Sequence, residues 1–173
     1  NIIIFRRNSL MKKELSKKCK KIRLVITDVD GVLTDGGMYY TAQGDVMKKF
    51  HARDGMGVTL LREKNIPTIL VTKEKTKMVK KWASKMKVEK LYDGVIKKNM
   101  IIDRICNSYN LHSDEIAYIG DDINDVPLLK LVGLAVTPND GTKHAKSISH
   151  YICSLKGGEG AFREFADLII SLR

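Results

Sequence analysis

Cysteine, proline and tryptophan are scarce in this 173-residue chain, at three, three and one residues. The cysteines (Cys19, Cys106, Cys153) are odd in number and far apart, without a CxxC spacing. That pattern argues against a disulfide framework or a zinc site and favours a reduced, cytoplasmic setting. No proline-rich linker, internal repeat or low-complexity tract divides the chain, so its length predicts one domain. No apolar run approaches the ~20 residues a membrane helix needs, and Ile2–Phe5 is too short for a signal-peptide core. No membrane partner is expected. The four histidines (His51, His112, His144, His150) have neither ligand nor triad spacing.

Acidic residues are sparse at one end. Residues 1–21 hold eight Lys/Arg and only Glu14, which is +7 of the formal net charge of +11. This stretch reads as a basic N-terminal extension, and 22–173 as the single folded domain. A lysine-rich helix near Lys75–Lys87 carries much of the remaining positive charge. Nucleic-acid binding through the basic N-terminus has charge as its only support, since there is no recognition motif or aromatic platform, so a nucleic-acid partner is not expected. A mildly positive surface would also steer small anionic substrates.

Strand-like and helix-like runs alternate. Ile22–Asp28, Ile66–Val71, Val88–Tyr92, Ile116–Ile119, Gly133–Val136 and Tyr151–Cys153 read as strands, the longer ones apolar without alternation, as when both faces of a sheet are covered. Met38–Tyr40 and Val46–Phe50 flank Gly44 and predict a β-hairpin. Helices are expected from Asp54, as an N-cap, to about Lys64, and over Thr76–Met86, Asn99–Tyr109, Val126–Leu131 and Ala161–Leu172. The pattern predicts an α/β fold: a Rossmann-like three-layer sandwich with a mostly parallel sheet. Ligands of such sheets bind beyond the carboxyl ends of the strands. Asp28, Thr72 and Asp121 all fall there.

The segment Asp28-Val29-Asp30-Gly31-Val32-Leu33-Thr34 places two carboxylates two residues apart at a strand end. Gly120-Asp121-Asp122-Ile123-Asn124-Asp125 forms a second acidic cluster, with Thr72 and Lys98 between the two. A phosphate monoester is shielded by negative charge, and Mg²⁺ with oxygen ligands cancels it. The carboxylates of Asp28 and Asp121 and the main-chain carbonyl of Asp30 are the candidate ligands. Asp28 would be the nucleophile of an aspartyl-phosphate mechanism, and Asp30 the acid and base. Thr72 and Lys98 would bind the phosphoryl oxygens. Asp122 and Asp125 would support Lys98 and the metal waters, or serve only as helix N-caps. A lone DxD after a strand is often just a solvated turn; the ordered set is what points to chemistry.

These motifs resemble the haloacid dehalogenase superfamily of phosphohydrolases over about residues 20–173. Between Asp30 and Thr72 there is room for a hairpin and one helix, which is similar to the capless branch. That resemblance implies a β-hairpin flap, no cap domain, and a homotetramer in which a neighbouring subunit helps close the site. Asp35–Tyr40, Phe50–Gly57 and Gly157–Phe165 resemble the members acting on 3-deoxy-manno-octulosonate 8-phosphate or on nine-carbon sialic-type acid 9-phosphates. The resemblance implies a small anionic sugar-acid phosphate as substrate, with Thr34, Arg53, Glu74, Lys85 and Arg163 as its contacts. Arg53 is similar to the eight-carbon group; Glu74, Lys85 and Gly157–Gly160 are more like the nine-carbon group, toward which the sequence leans slightly. Lys73 is a departure, standing where relatives often have glycine. For Arg163, a helix-surface ion pair with Glu159 or Asp167 is the competing reading. A phospho-receiver signalling module uses similar residues, but there the acidic pair precedes a phosphorylated Asp on a middle strand.

Overall fold

The computed structural model describes residues 2–173, with side chains from Lys12 onward. In chain order the elements are α1 (Ile2–Lys21), β1 (Leu24–Thr27), β2 (Tyr39–Thr41), β3 (Gly44–Met47), α2 (Ala52–Glu63), β4 (Thr68–Val71), α3 (Lys77–Met86), β5 (Lys90–Tyr92), α4 (Ile102–Tyr109), β6 (Ile116–Ile119), α5 (Val126–Leu129), β7 (Leu134–Thr137), α6 (Lys143–Ile148), β8 (Tyr151–Ile152) and α7 (Ala161–Leu172), with 3-10 turns at Lys98–Ile101 and Ser113–Glu115. Six strands form one sheet in the order β5-β4-β1-β6-β7-β8, and every neighbouring pair is parallel. The hairpin β2–β3 stands apart as an antiparallel pair.

The apolar strands lack alternation because both sheet faces are covered. Val25, Leu70, Ala117, Ile119, Leu134 and Val136 face one layer, packing with Cys19 of α1, Leu61 of α2, Val79 of α3 and Phe162 and Phe165 of α7. Leu24, Ile26, Ile69, Val71, Tyr118 and Ala135 face the other, against Ile102 and Ile105 of α4, Leu128 and Leu129 of α5 and Ala145 of α6. Three layers result, as expected, with only a hairpin inserted between β1 and α2.

The chain leaves β1 for β4 and β5 on one side, then crosses back to β6 on the other. This reversal opens a crevice at the carboxyl ends of β1 and β6, where ligands of such sheets bind. Leu24–Thr27 pair along their length with Ile116–Ile119, so Asp28 and Gly120 follow neighbouring strand ends.

Three local features correct or add to the sequence reading. Leu15 packs on the core and Cys19 lies within it, while Ser16 Oγ donates to the Leu172 carbonyl at 3.1 Å. The end of the basic stretch 1–21 is thus helical and covers the sheet; the side chains of residues 1–11 lie outside the described set. Asp54 is not the N-cap of α2, because His51 holds that place and its Nδ1 accepts from the Arg53 amide at 3.3 Å. Helix α6, capped by Thr142, is absent from the sequence expectations: it is six residues long and mostly polar, too short for a periodic signal.

Candidate active site

Asp28 follows β1 and is 5% exposed. Its Oδ1 accepts the Val29 amide at 2.7 Å, and its Oδ2 lies 2.7 Å from Lys98 Nζ. The chain then turns tightly: the amides of Leu33 and Thr34 both donate to the Val29 carbonyl, at 2.9 and 3.0 Å. Gly31 sits at φ +84° inside this turn, and a Cβ there would lie 2.1 Å from Asp121 Oδ2. Only glycine permits both the backbone conformation and that approach. The glycine between the two acidic clusters is thus what lets them meet.

Thr72 follows β4 and is 2% exposed; its hydroxyl accepts the Glu74 amide at 3.3 Å. Lys98 opens a 3-10 turn and is 1% exposed. Its ammonium contacts Asp28 and also Asp125, the latter at 2.6 Å. Burial pulls the Lys98 ammonium down, but Asp28 and Asp125 outweigh it and hold the charge. Asp125 Oδ1 also accepts from Tyr118 Oη at 2.6 Å, and its Oδ2 takes the amides of Asp121 and Asp122 at 2.9 and 3.1 Å. Each oxygen of Asp125 therefore has two partners, and Asp125 can add little to a ligand.

Oxygen atoms of Asp28, Asp121 and Asp125 lie within 4.8 Å of one another. Burial, opposed by Lys98 and reinforced by Asp125, pushes Asp28 up from the usual carboxylate range. Burial, Asp28 and Asp125 do the same to Asp121. One lysine cannot offset three clustered carboxylates. Among the described residues, no hydrogen bond or ion pair reaches the carboxylate of Asp121. An oxygen-rich, electron-excessive cluster with one unengaged carboxylate suits a hard divalent cation. Asp28 and Asp121 are the side chains that fit it. The Asp30 carboxylate is engaged by Lys48, 2.7 Å from its Oδ1.

Asp28, Asp30, Thr72, Glu74, Lys98, Asp121 and Asp122 line one cavity of about 340 Å³, together with Lys73 and Asn124. Among the described residues Asp122 makes no ion pair with Lys98; its Oδ1 accepts the Ile123 amide at 2.7 Å. Thr34 is 1% exposed and lies beneath the site, its hydroxyl 3.4 Å from Asp30 Oδ1. Arg53 and Lys85 are exposed and do not line the cavity. Arg163 Nε pairs with Asp167 at 2.9 Å, the helix-surface arrangement. The loop before it does approach the site: a Cβ on Gly157 would lie 1.9 Å from the Gly31 carbonyl.

Two residues carry no signal in the sequence. Lys48 Nζ sits 2.7 Å from Asp30 Oδ1 and 3.3 Å from Asp45 Oδ2, with its side chain 3% exposed. In sequence it is one of a lysine pair at a hairpin end and reads as surface. Tyr118 reads as a core aromatic, and its hydroxyl finds Asp125 only once β6 and α5 are in place.

Known proteins resemble this chain in sequence and fold. The family model described as haloacid dehalogenase-like hydrolase matches residues 64–163. A curated 3-deoxy-D-manno-octulosonate 8-phosphate phosphatase of Yersinia pestis is 34% identical over 157 residues, 91% of this chain and 84% of that protein. A solved haloacid dehalogenase superfamily (subfamily III A) hydrolase from Legionella pneumophila has a TM-score of 0.93 at 34% identity, covering 96% of this chain and 91% of the other. The 3-deoxy-D-manno-octulosonate 8-phosphate phosphatase of Moraxella catarrhalis, solved with magnesium, phosphate and the sugar acid, has a TM-score of 0.89 at 29% identity, covering 92% of each chain. With its acidic clusters joined across β1 and β6 and a family match over more than half its length, this chain belongs to the haloacid dehalogenase-like hydrolases.

Proposed function

We propose that this protein is a Mg²⁺-dependent phosphatase of a 3-deoxy-ulosonic sugar acid, with 3-deoxy-D-manno-octulosonate 8-phosphate as the first candidate substrate. The observation that carries the reading is the Asp28 carboxylate at the cavity floor, 2.7 Å from Lys98 and clustered with Asp121. The eight-carbon acid takes precedence over the nine-carbon one because the curated relatives are named for it. The cation, held by Asp28, Asp121 and the Asp30 carbonyl, would neutralise phosphoryl charge.

Asp28 attacks phosphorus, and the bond to the sugar oxygen breaks. Asp30 gives a proton to that oxygen, then takes one from the water that hydrolyses the aspartyl-phosphate. Lys98 has three N–H groups, of which two serve Asp28 and Asp125; the third is available to a phosphoryl oxygen. Thr72 uses its hydroxyl oxygen to accept the Glu74 amide, so its O–H hydrogen remains free to donate to phosphate. Asp125 and Tyr118 fix Lys98 from behind, and Glu74 and Lys73 border the sugar side of the cavity.

Within one chain Arg53, Lys85 and Arg163 lie away from this cavity, so a part in sugar binding requires a neighbouring subunit. The hairpin supports an assembly: Met38, Tyr40, Val46 and Met47 are all more than half exposed. A homotetramer fits both facts.

The test is phosphate release from 3-deoxy-D-manno-octulosonate 8-phosphate, with and without Mg²⁺. Asp28→Asn should remove activity by several orders of magnitude, as loss of a nucleophile does. Turnover that survives this substitution rejects the mechanism.

A further inference from the structure

Asp30 is held by a residue outside the motifs. Lys48 follows β3, at the base of the hairpin, and reaches Asp30 Oδ1 at 2.7 Å and Asp45 Oδ2 at 3.3 Å. Its side chain is 3% exposed, whereas Asp30 keeps 31% exposure at the cavity wall. The segment carrying it is firmly seated. Phe50, two residues on, stacks on Trp82 of α3 with ring centres 5.0 Å apart, and Thr34 bridges to Phe50. Burying a lysine without a structural apolar role is costly unless its charge is matched. Here it is matched by one carboxylate of the hairpin and one of the active-site loop.

We propose that Lys48 is a positioning residue: it fixes Asp30 through Oδ1, leaves Oδ2 as the oxygen that handles the proton, and offsets the negative charge that Asp30 acquires when it protonates the leaving sugar oxygen. The inference rests on the phosphatase reading above. In the first step the Asp28–phosphorus bond forms, the phosphorus–sugar oxygen bond breaks, and the Asp30 proton passes to the sugar oxygen. Asp30 becomes anionic at that moment, beside a fixed ammonium. A leaving group that needs no proton would not feel this help.

That difference gives the experiment. The specificity constant kcat/KM covers the steps up to leaving-group departure, so it excludes hydrolysis of the aspartyl-phosphate. It is measured for 3-deoxy-D-manno-octulosonate 8-phosphate, whose sugar alkoxide needs a proton, and for p-nitrophenyl phosphate, whose nitrophenolate does not. Lys48→Met, sedimenting as the wild type does, should lower the first by roughly 10- to 100-fold, a share of what acid catalysis supplies, and the second by less than about threefold. Lys48→Arg should recover most of the sugar-phosphate activity. Asp45→Asn, which removes the second anchor and leaves Lys48 in place, should reproduce the selective loss more weakly. Equal losses on both substrates would show a merely structural role and overturn the proposal, as would an unaffected Lys48→Met enzyme. Wild-type protein that hydrolyses neither ester would instead sink the phosphatase reading, and this inference with it.

Discussion

At the residue scale the site is set by how little space separates its parts. Asp121 reaches Asp28 only because Gly31 has no side chain where the two loops meet; a Cβ at that position would stand 2.1 Å from the Asp121 oxygen. Gly31→Ala is therefore expected to push Asp121 off its place and to strain the turn by ~1–2 kcal/mol. The Mg²⁺ concentration for half-maximal activity should rise at least about tenfold, at about 1.4 kcal/mol per decade. An unchanged Mg²⁺ requirement would mean that Asp121 is not held against Gly31. The sequence pointed to Asp28, Thr72 and Asp121 because they fall at strand ends, to Asp30 because it stands two residues after Asp28, and to Lys98 only through its order between the two acidic clusters. It did not show Lys48 or Tyr118, whose partners are 18 and 7 residues away and are reached only through the fold.

At the element scale the last helix is tied to the second. Asp54 lies within α2, fully buried, and its Oδ1 accepts the Arg163 amide at the start of α7 at 2.8 Å. The N-cap of α7 is Gly160, which has no side chain to do this. Asp54 is thus a cap supplied from another helix, and α7 in turn holds the glycine loop that leans on the Asp28–Thr34 turn. Burial pushes Asp54 up to about 6, against the amides of Arg163, Gly160 and Phe162, which pull it down. Its other oxygen is buried without a partner. The folded protein holds this proton more tightly than the unfolded chain, so Asp54's contribution is complete below about pH 4 and is lost as pH rises through about 6. Asn does not titrate. The stability of wild type relative to Asp54→Asn should accordingly fall by on the order of 2 kcal/mol between about pH 4.5 and 7.5. Urea unfolding of both proteins at the two pH values measures this; a constant difference would show that Asp54 titrates normally.

At the scale of the whole molecule, the hairpin stands apart from the six-stranded sheet and carries exposed apolar side chains. Met38, Tyr40, Val46 and Met47 on it are 51–65% exposed. In the proposed tetramer they are covered by a neighbouring copy. Sedimentation should find an assembly larger than the 19.5 kDa chain. The double substitution Tyr40→Lys and Met47→Lys should shift it toward monomer and weaken turnover of the sugar-acid phosphate more than that of p-nitrophenyl phosphate, because only the larger substrate needs the neighbour's surface. A wild-type monomer with full activity would remove the assembly from the mechanism.

The sequence by itself determined the alternation of strands and helices, the placement of acids at strand ends and the family resemblance. These are properties of local spacing and of covered apolar runs, which a chain carries before it folds. Tertiary structure alone decided that β6 lies beside β1, that Asp54 caps a helix more than 100 residues later in the chain, and that Lys48 turns inward. Each depends on a partner brought by chain reversal, and an ionic or capping contact of that kind leaves no period in the sequence that carries it.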